Sequence, residues 1–133
     1  MKIVIETIPY KSMRYATCGD YYWRRSFWGK EELYIAVAEL GNWRYESLVI
    51  VHELVEALLC RHDGIPIEEI DDFDMQYEKD RDPSDIDSEP GDAVGSPYHY
   101  QHCIATGIER MLAGCLLVSW SGYEQALNKL SEN

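Results

Sequence analysis

The chain has 133 residues, 46% of them apolar, with ten tyrosines and four tryptophans, which suits one packed domain and excludes a disordered chain. The formal net charge is -12, but residues 63 to 92 hold thirteen of the 24 acids and only Lys79 and Arg81 as bases. The acidity is therefore a local insertion, and with no basic stripe to meet phosphates a nucleic-acid-binding surface is excluded.

The opening MKIVIETIPY has no apolar leader region and no small-residue cleavage site, and no run approaches the roughly 18 apolar residues of a membrane span. A soluble cytoplasmic protein with no membrane partner is expected. Residues 2–8, KIVIETI, alternate and are β-branched, which predicts a strand. Residues 13–18, MRYATC, predict a second strand, ended by Gly19-Asp20. The aromatic stretch YYWRRSFWGK reads as a loop or a strand end. Residues 33–40, LYIAVAEL, give the clearest strand, closed by Gly41-Asn42.

A helix is predicted over 43–61, with Asn42 as N-cap and Leu48, Val51, Val55 and Leu58 at helical spacing. It stops near His62-Asp63-Gly64, and Pro66 cannot continue it. The acidic excursion, about 63–96, reads as irregular, with one helical turn near 67–70 and few apolar residues to bury. Ser96-Pro97 predicts the next helix, 97–117, with serine as N-cap and proline at the first helical position. Ser121-Gly-Tyr-Glu124 is a capping-box pattern for a short last helix with Ala126 and Leu127 inward. The order predicts a single α+β domain: about three strands in a small antiparallel or mixed sheet, packed on a layer of about three helices.

The four cysteines, Cys18, Cys60, Cys103 and Cys115, form no C-x-x-C pair, so reduced thiols are expected. The acidic segment has D-x-D spacings, but the sixth loop position that an EF-hand gives to glycine is Pro90 counted from Asp85 and Tyr77 counted from Asp72.

The chemistry concentrates in VIVHELVEALLC, residues 49–60. Helical residues four apart sit about 40° apart around the axis and roughly 6 Å along it. His52 and Glu56 can therefore aim an imidazole nitrogen and a carboxylate oxygen at one point and hold a divalent cation. Glu53 lies about 100° further round, where H-E-x-x-H enzymes carry the general base. The apolar flanks bury this helix, and buried carboxylates need partners. Histidines come from PYHYQHCIATGIERMLAG: His99 and His102 share one face, with Glu109 on the same side two turns on. Either histidine could complete the site. His62, ten residues after His52, is a rival that points away on a continuous helix, since Leu59 stands where a chain-turning glycine would be needed.

HELVEAL followed by His102, Ala105, Ile108 and Glu109 resembles the zincin-like metallopeptidases, in particular the short H-E-x-x-H proteins often encoded by phages and prophages. The resemblance covers the helix at 43–61 and the stretch 97–112. It implies a zincin-like fold, His52 as first ligand, Glu53 as catalytic base and His102 as third ligand, with zinc as the expected ion. Glu56 stands where the family has its second histidine. A further anionic ligand weakens the Lewis acidity of the metal and shifts preference toward harder ions such as Mn²⁺. Three functions follow: a peptidase-like hydrolase with a peptide or protein substrate, a zincin-like metal-binding or protein-interaction domain without turnover, and an acidic lure for a basic partner protein.

Overall fold

The computed structural model describes residues 1–132. Strand β1, Lys2–Ile8, and strand β3, Glu31–Ala38, lie parallel, with Ile3 opposite Leu33 and Ile8 opposite Ala38. Strand β2, Gly19–Arg25, runs antiparallel to β3 on its other edge, giving the order β1-β3-β2. The sheet is mixed and three-stranded, as the α+β expectation has it. The second strand is not 13–18, however. It is the aromatic stretch that follows, because Tyr21, Tyr22 and Trp23 suit a half-buried pleated surface. Ile8 and Gly19 both pair near the Val37–Ala38 end of β3, so residues 9–18 cross that end of the sheet.

Helix α1, Trp43–His62, starts on Asn42, whose side chain accepts from the Arg44 N–H at 3.0 Å. It crosses β2 and β3 and packs along helix α3, His99–Cys115. Ala57 on α1 and Ala105 and Ala113 on α3 are buried, and such small side chains let two helices approach closely. Tyr98, not Ser96, precedes the first residue of α3; the Ser96 hydroxyl accepts from the Tyr98 N–H instead. Helix α4, Trp120–Asn128, is capped by Ser119, not Ser121, its hydroxyl accepting from Gly122 N–H; Leu127 packs against the core as expected, and the fully buried residue is Tyr123.

The acidic segment is the largest correction. It contains a fourth helix, α2, Ile67–Asp80, which buries Ile70 and Asp74. Ile67, Ile70, Phe73 and Asp74 recur at helical spacing, and a dense polar background hides that stripe in the sequence. After α2, Arg81 binds Glu78 and the carbonyls of Asp85 and Ser88, which folds the acidic loop back on itself. A 3-10 turn, Pro90–Asp92, then leads to α3. Among the described residues no single helix is long and apolar enough to cross a membrane, and all four cysteines are free.

Candidate metal centre

The buried polar side chains gather where α1 meets α3. His52, Glu56, His102 and Glu109 are each at most 7% exposed. His52 Nε2 lies 3.1 Å from Glu56 Oε2, and the same oxygen lies 3.0 Å from His102 Nδ1. The other nitrogens are also met by carboxylates. His52 Nδ1 is 2.9 Å from Glu109 Oε2, and His102 Nε2 is 3.2 Å from both Glu89 Oε2 and Asp92 Oδ1.

A neutral imidazole has one N–H and one lone pair. With both nitrogens of both rings against carboxylates, one contact of each ring sets lone pair against lone pair unless a positive charge intervenes. That charge can be a second proton or a metal ion. Ligand bonds of 2.0–2.2 Å to zinc put tetrahedral donors about 3.4 Å apart, close to the 3.2 Å between His102 Nε2 and Glu89 Oε2. His52, Glu89 and His102 can bring one ligand atom each within 4.8 Å of one another, so the cluster could hold a metal ion.

The electrostatics describe the proton-filled form. Burial works against a charged His52, but hydrogen bonds to Glu109 and Glu56 outweigh it and hold the ring well above its ordinary value. Burial likewise opposes a charged His102, yet Glu56 and Glu89 push it up to about 10. Burial alone would raise Glu56; the hydrogen bonds from His102 and His52 hold it below the usual carboxylate range.

Second contacts fix the first. Glu109 turns its Oε1 to the Tyr123 hydroxyl, which donates at 2.5 Å, so Tyr123, Glu109 and His52 form one chain. A carboxylate on the far nitrogen sets the tautomer and orientation of a ligating histidine. Gly91 belongs to the turn that carries Glu89 and Asp92, and a Cβ there would collide with the His102 ring. Glycine is therefore what lets this turn close over the histidine.

Glu53 differs from its neighbours. Its carboxylate makes no hydrogen bond among the described residues and rests against Gly19 of β2, where a Cβ would meet its Oε1. Burial, then repulsion from Glu56, pushes it well above the ordinary carboxylate range. It lines, with His52, Glu56 and His102, a cleft of about 550 Å³ between α1, α2 and the segment 9–18.

The structure thus brings together His52, Glu56 and His102 and places Glu53 at the same opening. It does not bring in His99, whose Nδ1 faces the Gly91 carbonyl at 2.9 Å and whose ring lies near Cys103. That histidine holds the 3-10 turn instead of facing the cluster. His62, 84% exposed at its side chain, pairs with Asp63 outside the site. Sequence reasoning missed Glu89, Asp92 and Tyr123. The glycine two residues after Glu89 and the spacing of Glu109 from His102 were the available signals. Comparison with protein-family models, with curated proteins and with solved structures found no match.

Proposed function

We propose that this protein is a metal-dependent hydrolase of peptide-like bonds, with His52, His102 and Glu89 holding one divalent cation, Glu56 bridging the two imidazoles, and Glu53 serving as general base. The observation that carries this reading is the pairing of two kinds of carboxylate at one opening. Four acids face imidazole nitrogens, while Glu53 has no hydrogen-bond partner among the described residues and faces the cleft. Two imidazoles and a carboxylate suit Zn²⁺ first and Mn²⁺ second. An ion held there would supply Lewis acidity toward a carbonyl oxygen. Glu53, desolvated and raised in pKa, takes a proton from an attacking water and returns it to the leaving nitrogen. Glu109 and Tyr123 keep the His52 ring oriented. The HELVE helix and His102 support a zincin-like relationship, with Glu56 in the place of the second histidine.

A second reading, a metal-holding domain without turnover, draws on the further carboxylates, Glu56, Asp92 and Glu109, that crowd the two rings, since structural metal sites are closed and catalytic ones keep a position open. The lure reading gains nothing from the fold: Glu78 of α2 and Asp85 of the loop are tied to Arg81.

Glu53→Gln separates the two. Metal content would be measured on full-length protein purified without chelator, and hydrolysis on an unfolded-protein substrate. The hydrolase reading expects about one bound ion in both forms and hydrolysis only in the unmutated one. Activity in neither form, with metal in both, leaves the domain without turnover. Absence of any stoichiometric divalent ion after metal reconstitution would refute both.

A further inference from the structure

The cleft is rich in acids, and most of those not exposed to solvent have a basic partner. Arg14 is 2.6 Å from Asp20 and 3.6 Å from Asp71. Arg81 holds Glu78 and lies 3.9 Å from Asp85. Glu56 and Glu109 face the histidines. Among the described residues two remain without a base, Glu53 and Asp74, and Glu53 already has a place beside the metal cluster.

Asp74 stands on α2, 8% exposed, at the wall of the same cleft. Its Oδ1 accepts from the Tyr98 hydroxyl at 2.6 Å. Its Oδ2 has no hydrogen bond among the described residues. A buried carboxylate with an open oxygen is costly unless a charge meets it. Burial pushes this carboxyl up to about 7; the Tyr98 hydrogen bond opposes that, and repulsion from Glu56 and Asp71 adds to it. Tyr15 and Tyr98 line the cleft beside it. An arginine or lysine side chain would bring a charge and several donors to that carboxylate.

We infer that Asp74 recognises a guanidinium or ammonium group, so that the cleft takes a polypeptide segment with a basic side chain. That such a segment is a substrate rests on the hydrolase reading, but the recognition itself needs neither metal nor turnover. Tyr98 presents Oδ1 as the fixed side of the carboxylate, and Oδ2 is left for the incoming cation. Arg14 neutralises Asp20 and Asp71 nearby, which leaves Asp74 as the one deep anion on this side of the cleft among the described residues.

The test is a calorimetric titration of the full-length protein with N-acetyl-arginine N-methylamide and with its citrulline counterpart, which keeps the shape and lacks the charge. The arginine probe should bind about tenfold more tightly. Asp74→Asn keeps an acceptor for the Tyr98 hydroxyl, and it should bring the two probes to within about twofold of each other. Asp72→Asn, which removes an exposed charge from the same helix, should leave the preference intact. Should the Asp74→Asn variant not fold, amide shifts at residues 70–74 of the unmutated protein decide, since arginine should move them and citrulline should not. A preference equal in both proteins, or lost equally in Asp72→Asn, would overturn the inference in favour of general acidity. Spermidine binding more tightly than the arginine probe would overturn the polypeptide form in favour of a free polyamine. A metal-loaded, active hydrolase with no arginine preference would refute Asp74 recognition alone. Preference retained in a protein that takes up no metal would refute the hydrolase alone.

Discussion

Two regions of this molecule are held together by different physics. Where the sheet, α1 and α4 meet, nine buried residues form one apolar cluster, among them Leu33, Ile35, Val37 and Leu48 at no measurable exposure. Under α2 the cluster is three residues, Cys60, Ile70 and Tyr98. There the chain is tied by polar contacts instead: Tyr98 to Asp74, Arg81 to its loop, His99 to Gly91, and Glu89 and Asp92 to His102. Apolar burial is indifferent to pH and ions, whereas polar ties respond to both. The second region is thus the one that protons, cations and ligands can tighten or loosen, and it is the region that supplies Glu89 and Asp74 to the cleft.

The sharpest way to break this contrast is a cavity in the first region. Leu33→Ala, in the central strand, should destabilise the whole protein by about 2–5 kcal/mol in chemical denaturation. Metal affinity of the fraction still folded should not change. A large loss of affinity would show that the two regions are one mechanical unit.

A second test titrates the polar region. Because Asp74 has its carboxyl raised to about 7 when folded, against 3.8 for an ordinary aspartate, the native state binds the extra proton between those values. Stability from this group is therefore greatest near pH 4, falls as pH rises toward 7 and is flat above. The span is at most about 4 kcal/mol. Asp74→Asn should remove that slope, read as the difference between the two proteins in denaturation midpoints from pH 4 to 8. Parallel profiles would mean that Asp74 is already charged and compensated.

These contrasts also explain what the sequence disclosed. Strands β1 and β3 and helices α1 and α3 were legible because alternation and helical spacing are local patterns, and His52 and Glu56 share a face by helical geometry alone. Strand β2 was hidden by Arg24 and Arg25 next to its aromatics, and α2 by acids around a stripe of four positions. The approach of Glu89 to His102 depends on how an irregular segment folds back, which no local period encodes. Read as a solvated excursion, the acidic segment has nothing to bury. As folded, it carries a helix that buries Ile70 and Asp74, and one of the candidate ligands.

A divalent cation should act unevenly on the two regions. At one hundred times its dissociation constant an ion that binds only the folded form stabilises it by about 2.7 kcal/mol. Hydrogen exchange should show the gain in protection concentrated in residues 67–96, since Glu89 ties that segment to the α1–α3 seam. Uniform protection, with β3 gaining as much as α2, would mean the segment is no looser than the core.

The smallest effect is expected at Tyr123, where the regions join. Its ring is 1% exposed in the apolar cluster, packed against Tyr45 and Trp120, while its hydroxyl reaches Glu109 and through it His52. Tyr123→Phe keeps the ring and removes only the oxygen. The loss of one charge-assisted hydrogen bond predicts a change of about 2 kcal/mol. If Glu109 needs that donor to aim the imidazole, the loss should be seen at the metal. Co²⁺ binding should weaken about fivefold and its visible absorption should shift, because the ligand geometry changes. If the hydroxyl is only a core hydrogen bond, Tyr123→Phe should lower the melting temperature with the Co²⁺ spectrum and affinity unaltered. Glu109→Gln tells the same two apart from the other side. An amide can still meet the Tyr123 hydroxyl through its oxygen, but it no longer offers His52 a charged acceptor, so it should disturb the spectrum more than it disturbs the fold. An unchanged spectrum in both variants would remove Glu109 and Tyr123 from the metal centre and return them to the apolar region.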